Sequence, residues 1–124
     1  MGTTNIPNYR NSDGAVVASG QTAVTQLTNI NTGVTCNAYS GVITTVSQTV
    51  AAGAEADFVV TNNKVAATDV IVACIKTHTS AGSFIVAPVA VAAGQFTLRL
   101  TNLHASAAGD NVLAINFVVI KAEA

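Results

Sequence analysis

The chain has 124 residues, half of them hydrophobic and only 9% charged, with a net charge of −1; a single domain of this size normally carries about 25% charged residues. Its basic residues, Arg10, Lys64, Lys76, Arg99 and Lys121, are scattered and form no stripe to neutralise a run of phosphates, which argues against nucleic acid as a partner. No apolar run nears the ~20 residues of a membrane span, the N-terminus lacks signal-peptide regions, and Ile6 stands where a myristoylation site needs Ser or Thr, so a soluble, unexported protein with no membrane partner is expected.

Residues 1–14, MGTTNIPNYRNSDG, show no strand pattern and read as an extended N-terminal arm, with Ile6, Tyr9 and Arg10 as candidate contacts on a partner surface. Residues 15–124 read as one β domain. Short β-branched runs separated by Gly, Asn, Asp or Ser predict strands near 14–19, 22–28, 32–37, 41–47, 54–61, 69–77, 83–91, 95–102 and 111–121. No useful window keeps the helical spacing of apolar residues. About eight or nine such strands predict an all-β fold, an antiparallel β-sandwich or jelly roll. Cys36 and Cys74 stand in apolar contexts, GVTCNA and VIVACIK, and are expected to be two buried small hydrophobes rather than a disulfide.

The stretch VAAGAEADFVVTN, residues 50–62, returns as VAAGQFTLRLTN, residues 91–102. Aligned on the shared Thr-Asn end, Ala56, Phe58 and Val60 correspond to Phe96, Leu98 and Leu100, and all six are expected in the core. Period-two alternation puts Glu55, Asp57 and Val59, with Gln95, Thr97 and Arg99, on the other face. The Asn closing each strand suits an Asx-turn. Each copy continues into an Ala-containing loop, then Asp69 or Asp110, then an apolar strand, so the expected repeating unit is a β-hairpin about 40 residues apart. Both aspartates are expected to bond backbone at the turn into the return strand. A fainter echo, VTQLTN at residues 24–29, breaks the period, and a solenoid is rejected.

The return strands VIVACI, residues 70–75, and VLAINFVVI, residues 112–120, are apolar on both faces, whereas an antiparallel strand with one wet face alternates. A second cover is therefore expected, either from loops or from a neighbouring subunit. Together with the scarcity of charge, this favours a tight homo-oligomer of cyclic symmetry, with Glu55, Asp57 and Arg99 as candidate interface residues.

Candidate chemistry is sparse. His78 and His104 sit in loop-like contexts without a Cys or carboxylate at metal-ligand spacing. No nucleophile elbow or phosphate-binding loop occurs, and Glu55 and Asp57 share one strand face, whereas glycosidase acids flank a cleft. Trp is absent, and the aromatics are Tyr9, Tyr39, Phe58, Phe84, Phe96 and Phe117, with Phe58 and Phe96 already assigned to the core. Neither an enzyme, a metal site nor a cofactor is expected.

The motifs TGVTCN (residues 32–37), GVITT (41–45), AATDVIV (66–72) and AAGQFTLRLTN (92–102), followed by LAINFVVI, resemble a β-rich module of tailed-bacteriophage virion proteins, the head-fibre and capsid-decoration family. The resemblance spans roughly residues 20–121 and leaves the arm outside. In that family an aliphatic residue usually stands at the position of Cys36, in keeping with a buried thiol. The resemblance implies a structural virion protein, a cement or decoration subunit on the capsid exterior. Its implied partners are the major capsid protein and its own copies, as a homotrimer. An adhesive or receptor-binding module, touching a host glycan through the loops of His78 and His104, is the alternative expectation.

Overall fold

Alternating β-branched and aromatic residues form eight strands in the computed structural model, which describes residues 20–78, 81–109 and 112–122. They are β1 (Thr22–Thr25), β2 (Val34–Thr35), β3 (Ser40–Thr44), β4 (Glu55–Thr61), β5 (Val70–His78), β6 (Phe84–Ala92), β7 (Gln95–Asn102) and β8 (Leu113–Ile120). The strand expected near 14–19, the arm residues Ile6, Tyr9 and Arg10, and Asp110 lie outside the described residues. The strands make two four-stranded sheets, ordered β1-β3-β8-β5 and β2-β4-β7-β6. The fold is an all-β sandwich, as its alternation predicts.

Two pairings depart from the antiparallel expectation: β1 runs parallel to β3, and β2 parallel to β4. The cause is the route of the chain. From β1 to β5 every strand enters the sheet opposite to its predecessor, so neighbours within a sheet are not sequence neighbours. Among the described strands only β6 and β7 form a hairpin, turned through Ala93 and Gly94 with Gly94 at φ 80°, a value glycine accepts without steric cost.

The internal repeat takes a form the hairpin expectation did not foresee. β4 leaves one sheet and β5 joins the other, and β7 and β8 do the same, so each copy is an arch across the core. The copies pair with each other: β4 lies antiparallel to β7 with Phe58 opposite Leu98, and β5 lies antiparallel to β8 with Cys74 opposite Asn116. Two arches related by an approximate two-fold rotation would give this pairing in both sheets. A tight hairpin could not, because it would leave both of its strands in one sheet.

Alternation then fills the space between the sheets. Ala56, Phe58, Val60, Phe96, Leu98 and Leu100 are all buried, and from the other sheet Ile43, Ile71, Leu113, Ile115, Phe117 and Val119 meet them. Phe96 and Phe117 touch across the core at 5.2 Å between ring centroids, within the range favoured by aromatic pairs. Backbone gives way where these rings crowd: a Cβ at Gly41 would lie 2.5 Å from the Phe117 ring and 2.9 Å from Cys36 Sγ.

Candidate interaction surfaces

The strand-closing asparagines fix the two ends of the sandwich. Asn102 is fully buried, and its Nδ2 donates to the carbonyls of Val50 and Ala107 at 3.0 and 2.9 Å. Its Oδ1 accepts from the N–H groups of Ser83 and His104 at 3.0 and 3.1 Å. Asn62, equally buried, donates to the Ala38 carbonyl and accepts from the Lys64 N–H. In both, the bond from the N–H two residues on is the Asx-turn that the sequence predicts. Asp69 also behaves as expected, accepting from the Ala66 N–H at 2.8 Å; its side chain further bonds Lys121 and the Ala122 N–H. Burial alone pushes the Asp69 carboxyl up, but these donors outweigh it and hold the group below the usual carboxylate range.

His78 and His104 lie toward the same end of the sandwich. His78 is paired with Leu113 at the start of β8 and packs edge-on against Phe84 at 5.2 Å. His104 uses its Nδ1 to accept from the N–H groups of Ser106 and Ala107 at 3.1 and 2.8 Å, which puts any ring proton on Nε2. Its role is to shape a loop. Leu27 and Leu103, 69% and 59% exposed, belong to this end too, since Leu27 follows the Thr25–Thr44 pairing and Leu103 follows the end of β7 at Asn102. The described chain enters β1 at the opposite end, where Thr22 pairs with Gly41.

The two outer faces differ in chemistry. On the β2-β4-β7-β6 sheet, Arg99 stands directly across from Asp57 and grips it with two bonds, Nε to Oδ1 at 2.8 Å and Nη2 to Oδ2 at 2.9 Å. Glu55 Oε2 approaches Nε at 3.5 Å. The three candidate interface residues thus meet within one chain. Thr97 and Thr101 lie beside them, while β6 at the edge of the same face carries the exposed Ile85 and Val89. The hydrogen bond from Arg99, with its charge, holds the Asp57 carboxyl below the usual range despite some burial, as expected for a two-point guanidinium contact.

The outer face of the β1-β3-β8-β5 sheet carries no charge along its registered rows. Following the pairing, Ala23 and Thr25 lie beside Val42 and Thr44, then Ala114, Asn116, Val118 and Ile120, then Val70, Val72 and Cys74. Val70, Val72 and Ile120 remain 51%, 48% and 47% exposed, so no described loop covers them. Charge begins only at the rim, with Lys76 at the β5 bulge and the Asp69–Lys121 pair where β5 begins and β8 ends. Two buried polar atoms, Ser40 Oγ and Asn116 Oδ1, have no hydrogen-bond partner among the described residues; both residues occupy the outward register of this sheet.

Cys74 corrects the expectation of two buried thiols. Cys36 is 1% exposed, and burial pushes its thiol pKa up, whereas Cys74 is exposed and both are free. Their local sequences are equally apolar, but Cys36 points into the core and Cys74 points out of a sheet whose outer face the described residues leave bare.

Among the described residues no cluster of His, Cys, Asp or Glu could hold a metal ion, and no helix is long and apolar enough to cross a membrane. Comparison with family models, curated proteins and solved structures finds no match to the chain.

Proposed function

We propose that this protein is a structural subunit whose work is assembly, a decoration or cement protein on the outside of a phage head. The observation carrying the assembly reading is the uncharged, apolar outer face of the β1-β3-β8-β5 sheet, with Val70, Val72 and Ile120 about half exposed. Exposed apolar area of this continuity marks an interaction site. The capsid as the place of assembly rests on the resemblance of the motifs between residues 20 and 121.

In this reading the subunit acts in many copies as an oligomer, a trimer by the family pattern, and bridges neighbouring capsid proteins. Each contact is modest, and their number resists the pressure of packaged DNA. In this reading Ile6, Tyr9 and Arg10 supply contacts to the capsid surface. Quantitative mass spectrometry of purified particles tests the reading: copy numbers comparable to the major capsid protein are expected, and a handful per particle would refute it.

A receptor-binding role is the second reading, favoured by the exposure of Leu27 and Leu103 at the loop end. It requires that the isolated protein block adsorption to host cells or bind a glycan array; no effect in either assay removes it.

A further inference from the structure

The end of the sandwich formed by the loops after β1 and β7 seats on another folded protein; we infer that Leu27 and Leu103 are its two anchors, each filling an apolar socket of the partner. The inference rests on the assembly reading, in which the partner is the capsid protein and this end faces the shell.

Backbone strain singles out the first anchor. Leu27, at 69%, is the most exposed large hydrophobic side chain among the described residues. Beside it Thr28 has φ 70°, the one positive value among the described non-glycine residues, in a region that opposes β-branched side chains. The Asn29 N–H donates to the Leu27 carbonyl at 2.9 Å, so the tip is a three-residue turn of the rare, strained γ class. Gln26 holds it there. Its side chain is buried, with Nε2 donating to the Ile30 and Thr32 carbonyls at 2.9 and 2.8 Å and Oε1 accepting from the Val46 N–H at 3.3 Å. Strain that fixed surroundings maintain in this way marks a functional element. Leu103 is presented in the same manner from the other sheet. It follows the buried Asn102, whose Oδ1 binds the Ser83 and His104 N–H groups, and its own N–H donates to the Ser83 carbonyl at 2.7 Å.

Fixed anchors identify the kind of partner. Holding an exposed leucine in one place strengthens binding only where the receiving site has a fixed shape too. A lipid surface has no such shape and draws on basic side chains, and loop residues 26–33, 45–54 and 103–109 contain neither Lys nor Arg. They also lack Trp and Tyr, whose apolar faces and polar tips suit a sugar ring. A second copy would meet leucine with leucine at this end, where Phe84 already fills the space beside Gly82 and Gly109. A different folded protein with preformed sockets fits what is left, with aliphatic anchors entering pockets. Seating desolvates no ionised group of these loops, which contain no Asp or Glu.

Heads assembled without this protein are titrated with the full chain and with Leu27→Ala, Leu103→Ala, Thr28→Gly and, on the edge strand β6, Val89→Ala. Wild type and Val89→Ala are expected to bind alike, and each leucine variant on the order of tenfold more weakly at an unchanged urea midpoint. Thr28→Gly relieves the strain and frees the turn, so it is expected to bind more weakly than wild type although its midpoint is no lower. Leucine variants of full affinity overturn the inference. Full affinity of Thr28→Gly does so as well, because fixed geometry is what selects the partner. Phosphatidylserine vesicles, a glycan array and sedimentation carry the other occupants: wild type that binds lipid or glycan through Leu27, or self-associates through it, overturns the inference. Heads that bind every variant equally leave the decoration role standing without this seat, whereas a wild type that ignores the heads refutes that role and the seat together.

Discussion

Replacing Asn102 by Ala removes four hydrogen bonds from a fully buried site: those to the Val50 and Ala107 carbonyls and those from the Ser83 and His104 N–H groups. A buried hydrogen bond contributes about 1 kcal/mol net, and an abandoned partner costs more when nothing replaces it. The Val50 carbonyl keeps the Gly109 N–H, so its loss is small, whereas no other bond is seen for the Ser83 and His104 donors. The expected destabilisation is about 3–4 kcal/mol, a large share of the roughly 5–15 kcal/mol that holds a domain folded. Asn62→Ala forfeits two bonds, to Ala38 and from Lys64, half as many as Asn102→Ala, and the expectation is about 2 kcal/mol. Urea unfolding at one fixed protein concentration reads both as shifts in midpoint at unchanged slope. Asn102→Asp refines the argument. Its carboxylate still accepts from Ser83 and His104 but turns a second oxygen toward two carbonyls, so its penalty should shrink in acid, when the protonated group can donate again. Were Asn62→Ala to cost as much as Asn102→Ala, or Asn102→Ala less than about 1 kcal/mol, the reasoning from hydrogen-bond inventory would fail.

Gly41→Ala drives a Cβ into the Phe117 ring and Cys36 Sγ; it should cost about 1–3 kcal/mol, and a Phe117→Leu background should reduce that penalty in a double-mutant cycle. The depressed Asp69 pKa means that this carboxylate stabilises the fold above the ordinary value near 3.9 and that its contribution is lost as pH falls through the folded value. Asp69→Asn should therefore flatten the acid limb of a stability-versus-pH curve below about pH 5, and an unchanged limb would count against the pairing with Lys121 and the backbone. Arg99→Ala should shift the urea midpoint little, since its ion pairs are well exposed and such pairs contribute little; a large shift would point to a buried role that the geometry does not show.

Much of this protein is local and therefore legible from sequence alone. Alternation assigned Phe58, Phe96, Leu98 and Leu100 to the core and Glu55, Asp57 and Arg99 to the opposite side, because side-chain direction along a strand depends only on parity. The Thr-Asn strand ends fixed the turns for the same reason: an Asx-turn closes within three residues. Pairing is not local. Parity says which face a residue takes but not which strand lies beside it, so the repeat could be read as a hairpin when it is an arch paired with its twin. The parallel neighbours β1 and β3 were hidden likewise. Exposure was decided last of all. Cys36 and Cys74 sit in equally apolar stretches, and only the stacking of the sheets determined that one is sealed between two layers. The other stands with Val70, Val72 and Asn116 on a face the described residues do not cover, because a sandwich of two layers has only one interior.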